Sequence, residues 1–205
     1  MNTSLALRDL VADDVPGALE IGFSVPDRYN ASRILFDNLA KGNAGRIAVR
    51  SPLGTLTYAE LCAAAARAGN ALRSLGLERE DRVLLLMHDT PAYAAFIFGA
   101  IRAGLVPVLT NTQTPPDLIQ FYLSDAQARA VVVDAALARQ ITPEALAATA
   151  VEAIVVVNGA AELPHARRVL AFDREAESYP DALAEAETTR DDMAFWMYSD
   201  RKSVV

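Results

Sequence analysis

The stretch VLLLMHDTPAYAAFIFGAIRAGLVPVL, residues 83–109, decides the fold. Val83–Met87 is a continuous apolar run, as a strand covered on both faces requires. Thr90-Pro91 then places a capping hydroxyl before a proline, whose fixed φ and missing N–H suit the first helical position. Tyr93, Phe96, Ile97, Ala100 and Ile101 fall on one side of the helix that follows. Gly104 ends that helix, and Val106–Leu109 is the next short strand. A strand, a crossover helix and a second strand at this spacing form a β–α–β unit, whose strands run parallel.

The same alternation continues on the C-terminal side. Thr114-Pro115 repeats the start signal for a helix running to about Ser124, and Ala130–Val133 is a third buried strand. Thr142-Pro143-Glu144 opens a short helix, Ala153–Val157 is a fourth strand and Val169–Phe172 a fifth. Asp192–Tyr198 is a last apolar run, in which Phe195-Trp196-Met197-Tyr198 reads as core strand and not as a stacking platform.

On the N-terminal side, Ile47–Arg50 and Thr55–Thr57 flank the turn Ser51-Pro52-Leu53-Gly54, which predicts a hairpin. A helix is predicted from about Ser32 to Ala40, with Ile34, Leu35 and Leu39 on its inner face. Thr57 and Glu60 have capping-box spacing at the start of a further helix. Leu61, Ala65, Ala68, Leu72 and Leu75 form its apolar stripe, and Gly76 is placed to cap its end. Residues 1–30, broken by Pro16, Gly17, Gly22 and Pro26, read as irregular. The expected fold is α/β: a mostly parallel sheet with helices on both faces and an N-terminal β-hairpin, formed by residues 31–199.

Composition narrows the function. The chain has 205 residues, 52% hydrophobic and 22% charged, which excludes a disordered polar chain. A chain of this size buries roughly 70% of its unfolded surface, so no disulfide or metal staple is required. The net charge of -7 argues against nucleic acid or an anionic membrane as partner. One cysteine, Cys62, excludes an intramolecular disulfide and a Cys-rich zinc site. Among nineteen basic residues only Lys41 and Lys202 are lysine, which reads as the codon bias of a GC-rich genome. The first twenty residues carry Arg8 and acidic residues where a signal peptide needs an apolar run. Pro91–Leu109 is too short and too broken to span a bilayer. The expected location is the cytoplasm.

Most chemical motifs are missing. There is no Gly-x-Gly-x-x-Gly, no Walker A sequence and no Gly-x-Ser-x-Gly elbow. His88 and His165 lie far apart without ligand-like spacing, so no metal site is expected. His88 stands just past the carboxyl end of a predicted parallel strand, where ligands bind in open α/β sheets. It reads as a loop histidine that helps Asp89 and Thr90 cap the next helix, with no partner to orient it. Cys62 reads as a small buried residue. The pairs Asp13-Asp14 and Asp191-Asp192 read as loop or cap charges, and Arg167-Arg168 as solvated surface.

Three stretches, in order, resemble the N-terminal region of the AMP-forming acyl- and aryl-CoA synthetases. They are Gly54-Thr55-Leu56-Thr57-Tyr58-Ala59-Glu60-Leu61; then Gly76-Leu77-Glu78-Arg79-Glu80-Asp81-Arg82-Val83 with Phe98–Val108; then Asp191-Asp192-Met193-Ala194-Phe195-Trp196-Met197-Tyr198-Ser199. Phe195–Ser199 and Arg102-Ala103-Gly104 are most similar to benzoate–CoA ligases. The resemblance covers about Tyr29 to Ser199. It implies an N-terminal subdomain of an adenylate-forming ligase, which uses ATP, Mg2+ and coenzyme A to convert a carboxylic acid into an acyl-adenylate and then a thioester. It carries over Ser199 as the first hydroxyl of the nucleotide's phosphate loop, with Tyr198 before it on the strand. It carries over no catalytic residue and no metal ligand.

The departure from that pattern is sharp. The family continues with Ser-Gly-Ser-Thr-Gly, a variable residue and Pro-Lys-Gly, whereas this chain reads Asp200-Arg201-Lys202-Ser203-Val204-Val205. These residues contain no glycine for a tight phosphate loop, and Asp200 brings a negative charge. The codons GAT CGG AAG AGC GTC GTG TAG would encode this tail and resemble a sequencing-library adapter read in frame. Residues 200–205 are therefore expected to be non-native, and the chain alone inactive, its partner being the missing C-terminal part of its own fold. The other reading of the tail is a natural short chain. Two alternatives of function stand beside the ligase: a non-catalytic α/β binding module, and a fragment of an amino-acid adenylation domain.

Overall fold

In the computed structural model, which describes residues 25–198, helix α1 (Arg33–Ala40) leads into β1 (Ile47–Ser51), β2 (Gly54–Thr57) and the long helix α2 (Tyr58–Ser74). The alternation follows as β3 (Arg82–Leu86), α3 (Pro91–Ala103), β4 (Val106–Leu109), α4 (Pro116–Asp125) and β5 (Ala130–Asp134). A 3-10 segment (Ala135–Gln140), α5 (Pro143–Leu146), β6 (Ala153–Val157), β7 (Val169–Ala171) and α6 (Phe172–Glu175) come next. An irregular arm then reaches the two-residue β8 (Trp196–Met197).

Six strands form one sheet in the order β7-β6-β5-β3-β4-β8, and every neighbouring pair is parallel. β1 and β2 form a separate antiparallel hairpin with an irregularity between Ile47 and Val49. The mostly parallel sheet and the N-terminal hairpin thus stand as expected. From β3 the chain steps through α3 to β4, then turns back through α4 to β5 and onward to β6. Crossovers of one hand must change face when the direction of growth reverses. Accordingly Ala68, Leu72 and Phe96 pack on one face with Val83, Leu85 and Val132. Ile119, Leu123 and Ile141 pack on the other with Leu84, Val131 and Val133. The runs Val83–Leu86, Ala130–Val133 and Ala153–Val157 of the central strands are therefore apolar and buried at every position, as their sequence required.

The helix ends follow local chemistry. The Thr57 side chain accepts the Glu60 N–H, and the Thr57 N–H donates back to the Glu60 carboxylate at 2.8 Å. Thr90 accepts the Tyr93 N–H, Pro91 is the first residue of α3, and Gly104 closes it with φ +83°. α2 crosses α3 at Gly69 and Gly99, where backbone meets backbone. The arm lies over this helix pair. Asn70 donates to the Pro180 and Ala182 carbonyls, Arg102 Nε donates to the Leu183 carbonyl, and buried Asn30 donates to Ile101 O at 3.0 Å.

Three local expectations need correction. On α1, Leu35 is buried but Ile34 is 67% exposed and Leu39 is 40% exposed. Ile34 lies one residue, about 100°, round the helix from Leu35 and faces solvent. Leu39 is at the helix end, beyond the cluster that Leu35 forms with Leu61 and Cys62. At α4, Thr114 does not cap. Pro115 is extended (φ -70°, ψ 157°) because a proline follows it, so the helix begins at Pro116. The Phe195–Tyr198 run is only half core. It lies on the sheet edge, so alternation turns Trp196 and Tyr198 inward while Phe195 and Met197 are exposed.

Candidate functional site

All six strands point their carboxyl ends to one rim of the sheet. The segments leaving there are Met87–Thr90 after β3, Thr110–Thr112 after β4, Asp134 at the end of β5, Asn158-Gly159 after β6 and Tyr198 after β8. Numbered from β3, the five strands before β8 have the order 2-1-3-4-5. Growth of the sheet reverses between β3 and β5, and such a switch point opens a crevice at the carboxyl ends.

A polar cluster stands at this switch point. The Asp134 side chain is 4% exposed. Its Oδ2 lies 2.6 Å from His88 Nδ1 and accepts the His88 backbone N–H at 2.7 Å. Its Oδ1 accepts the Asn158 amide at 2.7 Å. Asn158 holds φ +56°, a conformation its short polar side chain tolerates, and its amide also approaches Thr90 Oγ1 at 3.4 Å. One buried carboxylate thereby ties together the ends of three adjacent strands. This corrects the expectation that His88 has no partner. The two residues are 46 positions apart, and only the parallel register Leu86↔Val133 brings them side by side. A signal was present in the sequence: Asp134 is the one charge closing an otherwise apolar strand, where an ion needs a partner.

Beside this cluster a cleft of about 400 Å³ opens between His88, Tyr93, Thr110, Asn111, Thr112 and Tyr198. Tyr198 forms its far wall. The Tyr198 hydroxyl donates to Asp125 Oδ2 at 2.5 Å, and its ring stacks on Tyr122 with centroids 3.9 Å apart. Burial and the Asp125 carboxylate push its phenol above the ordinary tyrosine range. The backbone ladder is fading here, with Tyr198 N–H 3.4 Å from Leu109 O, so the side chain holds this residue. Of the two residues carried over by resemblance, Tyr198 is thus at the rim, and Ser199 lies outside the described residues.

The other candidates lie elsewhere. His165 packs its Nε2 2.6 Å from Ile141 O. Cys62 is buried, and burial pushes its thiol up. Asp192 accepts the Thr189 N–H and pairs with Arg79 at 2.6 Å, contacts that lower its carboxyl. Asp191 and Arg167-Arg168 are exposed, and Asp13-Asp14 lie outside the described residues. Among the described residues, no group of three His, Cys, Asp or Glu is placed to hold a metal ion. None of the described helices is long and apolar enough to cross a membrane.

Comparison with known proteins gives a consistent picture. Residues 36–199 match the family model described as AMP-binding enzyme. The chain is similar to a 4-hydroxybenzoate–CoA/benzoate–CoA ligase of Rhodopseudomonas palustris, 36% identical over 182 residues, covering 83% of this chain and 31% of the relative. Its fold is similar to that of a benzoate CoA ligase from Burkholderia xenovorans, with TM-score 0.71 and 35% identity, covering 83% of this chain and 32% of that one. It is also similar to the anthranilate CoA ligase AuaEII in complex with anthranoyl-AMP, with TM-score 0.75 and 29% identity, covering 85% and 32%. The chain spans about a third of the length of these proteins.

Proposed function

The chain belongs to the AMP-binding enzyme family, and from that premise we propose that it is the N-terminal part of an ATP-dependent acid–CoA ligase acting on an aromatic or medium-sized carboxylic acid. In the first half-reaction a substrate carboxylate oxygen attacks the α-phosphate of ATP, giving an acyl-adenylate and releasing pyrophosphate. In the second, the coenzyme A thiol attacks the acyl carbonyl and AMP leaves. The observation that carries this reading is the similarity to aromatic acid–CoA ligases across more than four fifths of the chain. It favours coenzyme A over a carrier protein as acceptor.

Within this reading, the described residues form a scaffold. Asp125 and Tyr122 hold Tyr198, and Tyr198 delivers the chain to Ser199, the first hydroxyl of the phosphate loop by resemblance. Magnesium would arrive with the nucleotide phosphates, which it neutralises. Residues 200–205 contain no glycine and begin with an acidic residue, a composition that does not match the family's glycine-rich phosphate loop, and on this reading the chain by itself is expected to form no acyl-adenylate. A second reading, a non-catalytic binding module, draws on the exposed Phe121, Phe195 and Met197 beside and on the β8 edge.

The test is to sequence the source DNA through codon 199 and express whatever longer frame is found. Pyrophosphate release with ATP, magnesium, coenzyme A and benzoate, hydroxybenzoates or medium-chain acids is the expected result. A frame that stops at codon 205 in the source, or a longer product inert with every acid, would overturn the ligase.

A further inference from the structure

β8 is too short to hold itself in place. It pairs only Trp196 and Met197 with Val108 and Leu109, at the edge of the sheet. The arm before it crosses from α6, which follows the edge strand β7, to β8 at the opposite edge. On the way it is anchored to the unit that β8 pairs with. Leu183 is buried and fills the space left by the missing side chain of Gly69. Arg102 Nε donates to the Leu183 carbonyl at 2.5 Å, and the Arg102 carbonyl accepts the Ala186 N–H at 2.8 Å. Arg102 stands in the last turn of α3, which runs through Gly104 into β4, the one strand that β8 pairs with.

A second anchor lies nearer the strand. The Thr188 carbonyl accepts the Tyr29 N–H at 3.0 Å, and the Thr188 hydroxyl donates to Tyr29 O at 2.8 Å. Asp192 Oδ2 accepts the Thr189 N–H at 2.9 Å and pairs with Arg79 at 2.6 Å. Only Met193, Ala194 and Phe195 then separate Asp192 from Trp196. A short free segment loses less entropy on docking than a long one. With the anchors released, the free segment reaches back toward α6, and loop-closure scaling lowers the docking constant of β8 by on the order of tenfold. Leu183 packs with Val83 and Phe96 on one face of the sheet, whereas Trp196 and Tyr198 pack with Ile119 and Leu123 on the other. Leu183 therefore acts on β8 through the chain and not by touching it. We infer that the arm is a strap that sets the docking of β8, with Leu183, Arg102 and Asp192 as positioning residues for Tyr198. Released from the strap, β8 leaves the edge while the rest of the sheet stays folded. The consequence for chemistry rests on the ligase reading, in which Tyr198 delivers the chain to the phosphate loop and the strap fixes where that loop begins.

Trp196 is the chain's one tryptophan and lies in β8, so its fluorescence reports on that strand. Urea unfolding of the 205-residue chain is followed by Trp196 emission and by far-ultraviolet circular dichroism, which reports the helices. A two-state fold gives coincident transitions. Leu183→Ala and Asp192→Ala should each move the Trp196 midpoint to lower urea than the helical midpoint, widening the gap relative to the parent chain. Thr57→Ala is the control, because the Thr57 hydroxyl bonds only within the α2 cap. It should lower both midpoints together. Leu183→Ala removes core volume; where it fails to fold, Asp192→Ala, whose side chain is partly exposed, decides alone. A gap unchanged from the parent in either folded variant, or an equal widening in Thr57→Ala, would overturn the strap. The ligase reading stands or falls separately, on pyrophosphate release by the longer frame.

Discussion

Tyr198 and Asp125 are joined by a 2.5 Å hydrogen bond between the last described residue of the sheet edge and the last residue of α4. β8 contributes only two paired residues, so this bond and the Tyr122 stack replace the ladder that a longer strand would supply. Tyr198→Phe keeps the ring and removes the hydroxyl, leaving Asp125 exposed to water. It should destabilise the chain by about 1 kcal/mol, whereas Tyr198→Ala should cost more by also removing the stack. Chemical denaturation of the two variants checks the order.

The α2–α3 crossing yields a second prediction. A Cβ on Gly69 would lie 2.6 Å from Gly99 O, and one on Gly99 would lie 2.8 Å from Gly69 N. Both are backbone atoms, which cannot rotate away as a side chain does. Alanine gains up to about 1 kcal/mol of helix propensity over glycine, but overpacking at such a contact costs about 1–3 kcal/mol or more. Gly69→Ala and Gly99→Ala should therefore both lower the urea midpoint. A midpoint at or above that of the parent chain would refute the close crossing.

Acid should loosen the arm. Glu185 accepts a bidentate bond from Arg33, with Arg102 nearby, and these contacts hold its carboxyl below the ordinary glutamate range. A carboxylate with a depressed folded value adds stability above its unfolded value of about 4.3. That stability is lost as pH falls through the folded value. Thermal midpoints should therefore drop below about pH 4.3, and Arg33→Gln should flatten that part of the profile. Identical acid limbs in the two proteins would refute the coupling.

The capping box on α2 predicts a loss confined to one hydroxyl. Thr57→Ala should cost about 1 kcal/mol and Thr57→Ser little, because serine keeps the oxygen that accepts the Glu60 N–H. Equilibrium unfolding of both variants is the measurement.

The chain as given should release no pyrophosphate above background from ATP, magnesium and any acid. Release that depends on acid and survives repurification would show that residues 200–205 do support nucleotide binding.

Local patterns determined most of the fold. Apolar runs of four or five residues marked the buried strands β3, β5 and β6, and Thr57, Thr90 and Thr142 with their following residues marked three helix starts. Such signals are readable because capping and burial depend on neighbours a few residues away. Motif order likewise placed the chain in its family. The tertiary structure decided which residues meet across the sheet. His88 finds Asp134, Tyr198 finds Asp125, and Arg33 finds Glu185 through separations of 46, 73 and 152 residues. It also decided that Phe195 and Met197 face outward, because β8 lies at an edge. Strand order and register are properties of the packed whole: a parallel pairing is set by crossover hand and by which apolar faces must be covered. No residue's own neighbours in the chain carry that information.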